Sequence, residues 1–194
     1  MSIVEVRRQA VTSVSDKILE IVGDEPSVEK LQRSALELSA LAERADLFSA
    51  DDFPLPGAET TGGRTFLIYE REGAALYAVS SVPGKSYRPH DHGGSWVVIS
   101  AVTGREQHRF YSADPNDPAA LSEQAVIICE PGTPVSMMPN GIHAIEGVGD
   151  GPLLHLHFYG TRLQDQKERT EYDLENGTTE GLVLTSFGHI QDKR

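Results

Sequence analysis

The sequence predicts an all-β barrel or sandwich that carries an N-terminal helical extension. Three observations predict it. Short β-prone runs alternate with Gly, Pro and Asn turns through most of the chain from residue 65 onward. Two stretches with apolar residues at three- and four-residue spacing come before them. A Pro-, Gly- and Asp-rich segment, SADDFPLPGAETTGG from Ser49 to Gly63, separates the two textures and reads as a loop. With 194 residues the chain can bury a sizeable core. The expected organisation is helices within residues 1–60 packed on a barrel at 61–194, as one compact unit.

The first helix is expected to be short. Ser13 or Ser15 can cap a segment through Ile18, Leu19, Ile21 and Val22, and Gly23 ends it. Ser27 can cap a second helix, with Val28, Leu31, Ala35, Leu38, Leu41 or Ala42, and Ala45 on one face. Its other face carries Glu29, Lys30, Arg33, Glu37 and Glu43, so it packs on something. Strands are expected at 65–70, 74–82, 95–102, 106–111, 125–129, 134–138, 143–148, 153–159 and 182–187. Turn signals lie between them, among them Pro83-Gly84, Asp114-Pro115-Asn116-Asp117-Pro118 and Asn140-Gly141.

Composition narrows the function classes. A formal charge of -12 argues against a general nucleic-acid binder, whose footprint is a basic patch. Cys129 is the only cysteine, so no intramolecular disulfide can form and nothing points to an oxidising compartment. Residues 1–22 hold no apolar stretch of signal-peptide length, and no segment approaches a membrane span. A cytoplasmic protein without membrane or nucleic-acid partners is expected.

The chemistry is concentrated in histidines. In an extended strand, residues two apart project from the same face, so His90 and His92 of His90-Asp91-His92 would point together. Asp91 would face the other way, in a structural role. The later Pro139-Asn140-Gly141-Ile142-His143 places a tight turn just before a third imidazole. Neutral imidazole is the commonest metal ligand, and three on one face of a small barrel make a metal site with room for substrate. The plainer reading of a His-x-His strand is a wet polar face. Likewise, His155, His157 and Tyr159 share a face by period two, as catalytic groups or as satisfied core residues. Glu106, His108 and Glu146 could stand behind a metal site, although charged residues on barrel strands are usually solvated.

Gly84, with five residues between it and His90, together with the Gly132 to His143 stretch, resembles the two signature motifs of the cupin superfamily, a double-stranded β-helix barrel. The second motif departs by one residue in each of two gaps. Where a Glu usually follows the second His, this chain has Trp96 and Val97. The set is then three neutral His rather than two His and a carboxylate, which is similar to the cysteine dioxygenase (thiol dioxygenase) family. Pro89-His90-Asp91-His92-Gly93, Trp96 and Gly104-Arg105-Glu106 look like bacterial members of it. The run His155-Leu156-His157-Phe158-Tyr159-Gly160 resembles the family's Ser-x-His-x-Tyr stretch, with His155 where Ser is usual.

The resemblance covers roughly residues 60 to 190. It implies one Fe(2+) per chain held by His90, His92 and His143, with other divalent metals as alternatives. It implies outer-sphere roles for His157 and Tyr159 as catalytic residues, and Arg64 as the anchor of a substrate carboxylate, with His155 and Trp96 bordering the substrate. It implies a cytoplasmic oxidoreductase, a dioxygenase that joins a small thiol-bearing acid, of the cysteine or 3-mercaptopropionate type, with dioxygen to give a sulfinic acid. The cross-link that some members make between a Cys and the active-site Tyr is not expected, because the matching position falls near Val97. Two alternatives stay open: a three-His cupin oxygenase with a diketone-like substrate, and a non-catalytic metal-binding cupin. An Arg64 turned away from the metal would weigh against the carboxylated thiol, and a closed metal with no pocket would favour the non-catalytic reading.

Overall fold

The computed structural model describes residues 1–49, 51–57, 63–181 and 190–194. The strand expected at 182–187, His189 and part of the loop expected at 49–63 lie outside the described residues. Two helices come first, α1 (Ile3–Val22) and α2 (Val28–Ala42), followed by a 3-10 turn at Ala45–Leu47. Helix α1 begins far earlier than expected. Ser2 caps it in a reciprocal box with Glu5. Its buried stripe is Arg7, Val11, Ser15, Ile18 and Val22, and the two polar members conceal the apolar period. Arg7 donates to Asp52 at 2.7 Å and to the Leu47 carbonyl at 3.0 Å, which satisfies its charge in that buried place. Ser27 caps α2, as expected, by accepting from the Lys30 N–H.

The strands are β1 (Arg64–Arg71), β2 (Ala74–Ser81), β3 (Ser86–His90), β4 (Val97–Thr103), β5 (Arg105–Asp114) and β6 (Asp117–Cys129). They continue with β7 (Val135–Met137), β8 (Ile142–Val148), β9 (Leu153–Tyr159), β10 (Thr170–Asp173), β11 (Thr178–Gly181) and β12 (Gln191–Asp192). Among the described residues they form two sheets, ordered β12-β1-β2-β9-β4-β7 and β11-β10-β3-β8-β5-β6. The result is a cupin-like jelly roll, one sheet of which curls into a half-barrel. It is not a fully closed barrel, which corrects the expectation. Strand β7 is three residues long and sits between Pro134 and Pro139, which have no N–H to extend a ladder.

Strand β6 starts at Asp117, well before the expected 125, and meets β5 at a turn where Asp114 Oδ1 accepts from Asn116 N. It is an edge strand with mostly exposed residues, so no apolar alternation marks it in sequence. Strands β10 and β11 were not expected, and both are short and polar.

The core has two layers divided by the β12-to-β7 sheet. On its outer face Phe66, Leu76, Val98, Leu154, Leu156 and Phe158 pack with Val11, Ile18, Leu31 and Leu38 of the helices. Each such Leu or Phe contributes about 1.5–3 kcal/mol on burial. That layer fixes which face of β9 looks inward. The inner face carries Val97, Ile99, Ala101, Tyr77 and Tyr159. No helix among the described residues is long and apolar enough to cross a membrane.

Candidate metal centre

Each of the three histidines expected as ligands is buried, and their candidate donor atoms lie within 4.8 Å of one another. His90 ends β3 and is the cross-strand partner of His143 on β8, which brings their rings to 4.8 Å between centroids. His92 does not continue the strand. It lies in the turn that follows, with its ring 5.3 Å from His90 and 5.0 Å from His143. The shared side therefore comes from a turn, not from strand alternation. Asp91 holds that turn: its Oδ1 accepts from Gly93 N at 2.9 Å and Thr170 N at 3.1 Å. Gly93 has φ +55°, and a Cβ there would stand 3.1 Å from Arg169 N, so only glycine suits this crossing. Asn140, at φ 67°, turns the chain into β8 just before His143.

Hydrogen bonds select the donor atoms. His90 Nδ1 is 2.8 Å from the Arg88 carbonyl, to which its N–H donates, leaving the Nε2 lone pair for a metal. His92 Nδ1 and His143 Nε2 are buried without a hydrogen-bond partner. Orphaned buried nitrogens that converge are what a cation would satisfy, and the three-His set fits a metal ion on that ground. His143 Nδ1 is 3.1 Å from His108 Nδ1. With the His143 Nε2 lone pair turned to a metal, its proton sits on Nδ1 and donates to His108. His108 then carries its own proton on Nε2, which is 3.6 Å from Glu106 Oε2. Such backing orients a metal-bound imidazole.

Glu106 and His108 are thus buried groups and not the solvated strand residues that their charge suggests, whereas Glu146 is exposed. Strand β5 explains this: Glu106 and His108 alternate inward while Gln107 and Arg109 do not. A second buried set, Glu106, His155 and His157, also has its candidate donor atoms within 4.8 Å of one another. Burial would raise the Glu106 carboxyl, but His155 beside it, then His108, outweigh this and hold it well below the usual carboxylate range.

The remaining expected residues divide. His155, His157 and Tyr159 share the inward face of β9, and the His157 Nδ1 to Tyr159 Oη distance is 3.2 Å. The Tyr159 ring lies 5.5 Å from that of His92, at the edge of the metal centre. Burial pushes its hydroxyl well above the ordinary phenol range, so it stays a neutral donor. Trp96 packs edge-on against Phe158, 5.5 Å between centroids, in the layer shared with the helices, and is not among the residues lining the cavity. Arg64 is also off the cavity: its guanidinium stands 5.5 Å from the Phe66 ring, while its neighbour Thr65 lines the cavity. Cys129 is buried, its thiol pushed up to about 12 mainly by burial.

A cavity of about 40 Å³ lies beside the centre, lined by His90, Glu106, His157, Tyr159 and Arg169 among others. Arg169 was not anticipated. It is buried just before β10, whose Glu171 is the cross-strand partner of His90, and burial lowers its pKa. No local pattern announces it, because it reaches the site through a strand too short and polar to read.

Burial also makes these imidazoles hard to protonate: His90 and His157 are pushed down to about 3, and His92 and His143 lie well below the usual value. Histidines of the unfolded chain titrate near about 6.5. Between those values the unfolded chain binds protons that the folded chain does not, so stability falls as pH falls. The melting temperature of the metal-free protein is expected to drop steadily from about pH 7 to about pH 5. A flat profile over that interval would show that the imidazoles are solvated.

No protein-family model and no curated protein sequence matches the chain. Solved structures do. An uncharacterised conserved protein with a double-stranded β-helix domain from Klebsiella pneumoniae is 14% identical, with TM-score 0.45 over 58% of this chain and 81% of that one. A Thermus thermophilus protein is 18% identical, with TM-score 0.44 over 56% and 91%. An oxalate oxidase in complex with the substrate analogue glycolate is 16% identical, with TM-score 0.46 over 73% and 66%. The sheet order and the buried three-His set carry the fold assignment independently of these likenesses: a cupin-like double-stranded β-helix built around a metal-binding triad.

Proposed function

We propose that the protein is an Fe(II)-dependent thiol dioxygenase that converts a small thiol-bearing acid to its sulfinic acid. The observation that carries this reading is a buried arginine, Arg169, lining the same small cavity as His90 of the three-His centre. An anionic group at one end and a metal-binding atom at the other are what such a cavity would accept. The presence of a cavity beside the triad weighs against a closed, purely structural metal.

His90, His92 and His143 would hold the ion. Bound there, Fe(II) would supply Lewis acidity toward the thiol and a redox centre for dioxygen. Three neutral ligands leave the ion's charge uncompensated, which favours an anionic sulfur over a neutral ligand. Arg169 takes over the carboxylate-anchoring role expected of Arg64, since a planar guanidinium pairs with a carboxylate through two parallel bonds. Tyr159 donates a hydrogen bond into the cavity, and His157 positions its hydroxyl. The net reaction adds both atoms of dioxygen to sulfur. The electrons that sulfur loses are those that dioxygen gains, so no further reductant is needed.

The test is oxygen uptake by the Fe(II)-loaded protein with cysteine, 3-mercaptopropionate, cysteamine and an uncharged thiol, against metal-free protein. Uptake with the thiol acids alone, matched by sulfinate, is the expected result. Absence of uptake with every thiol would overturn the thiol reading while leaving the metal centre in place.

A further inference from the structure

We propose that Glu106, His155 and His157 form a second metal site, which binds a divalent transition metal in addition to the ion at the three-His centre. All three residues are buried, Glu106 on β5 of one sheet and His155 and His157 on β9 of the other, and their donor atoms lie within 4.8 Å of one another. Two imidazoles and one carboxylate are a donor set that suits iron, zinc or manganese, with positions left open for other ligands.

Unsatisfied polar atoms carry the argument. Glu106 Oε2, His157 Nε2 and both ring nitrogens of His155 are buried without a hydrogen-bond partner. Leaving one such atom unmade costs about 1–3 kcal/mol, and four in one cluster are out of keeping with a well-packed interior. The competing arrangement is an ion pair between Glu106 and a protonated His155. Glu106 Oε2 and His155 Nδ1 are 3.0 Å apart, close enough for charge contact, yet neither atom has a hydrogen bond. A metal ion satisfies the carboxylate oxygen, one His155 nitrogen and His157 Nε2 together.

The site is separate from the three-His centre but joined to it. His108 sits between them, 3.1 Å from His143 Nδ1 on one side and 3.6 Å from Glu106 Oε2 on the other. Occupancy also sets a proton. A metal on His157 Nε2 leaves the ring proton on Nδ1, where it donates to Tyr159 Oη. The phenol's own proton then turns toward the cavity. That consequence rests on the thiol dioxygenase reading only in so far as the cavity holds substrate; the site does not.

The experiment is metal stoichiometry. The full chain, stripped with chelator and incubated with Co(II) or Zn(II), is passed through a desalting column and its bound metal measured by elemental analysis. Wild type is expected to hold two equivalents. Glu106→Gln, which keeps the shape and removes the charge, and His155→Leu should each hold one, as should His90→Ala for the opposite site. Visible Co(II) spectra of Glu106→Gln and His90→Ala should differ and sum to that of wild type, with folding checked by circular dichroism. One equivalent in wild type, unaltered by Glu106→Gln, would overturn the second site and leave a Glu106–His155 ion pair. A failure of the three-His centre reads differently: His90→Ala would then keep the wild-type content while Glu106→Gln loses metal.

Discussion

His143→Ala is expected to fold and to lose at least about 100-fold in metal affinity at the three-His centre, taking oxygen uptake with it. The lower bound follows from scale: removing a group that merely orients a ligand costs about 10–100-fold in affinity, and His143 is itself a ligand. The substitution also leaves His108 Nδ1 without its partner, so some stability is lost, about 1–3 kcal/mol at most. The measurement is iron content and melting temperature together. Full iron retention in a folded variant would remove His143 from the centre. Loss of fold would shift the test to His143→Gln, which fills more of the space without offering an imidazole.

The buried three-His set was legible in the sequence because residue type and short spacing carry it, and the strand-turn setting of His143 was equally local. The inward face of β9 was legible for a similar reason. Period two puts His155, His157 and Tyr159 on one side, and Leu154, Leu156 and Phe158 on the side covered by the helices. What the sequence concealed depends on tertiary neighbours. The extended strand read at His90-Asp91-His92 ends at His90 in β3, whose register with β8 shifts between Tyr87 and His90, and His92 lies beyond it. Glu106 and His108 looked like solvated strand residues, and they are buried beside His143 of the adjacent strand β8 and His155 of β9 in the other sheet. Ser15 and Arg7 broke the apolar stripe of α1, and the buried Arg7 is accommodated by Asp52 and the Leu47 carbonyl, which lie far along the chain.

Net charge misleads in the same way. A chain with a formal charge of -12 is uniformly acidic only on average. The cavity itself is lined by histidines, one carboxylate and a buried arginine. A dication bound to neutral imidazoles adds positive charge to that interior. Glu106 is a buried carboxylate that stands beyond His108 on the His143 side. The charge that a bound ligand would meet is therefore set by these few groups and not by the net charge of the chain.

Arg169→Met is expected to raise KM for the thiol acid by roughly 30- to several-thousand-fold. Truncating one partner of a buried charge-assisted pair costs about 2–5 kcal/mol, and each 1.4 kcal/mol is about tenfold. Methionine keeps much of the volume and removes the fork of donors, so the loss reports recognition and not collapse of the cavity. An uncharged thiol, which has no carboxylate to lose, should keep its kcat/KM within a few-fold. Arg169→Lys should recover only part of the loss, because an ammonium is a point charge and does not reproduce paired parallel bonds. The same kinetics on Arg64→Ala decide between the two arginines. Arg64 lies against Phe66 outside the cavity, so its variant should keep the wild-type KM. A KM that rises for Arg64→Ala and not for Arg169→Met would return the carboxylate to Arg64.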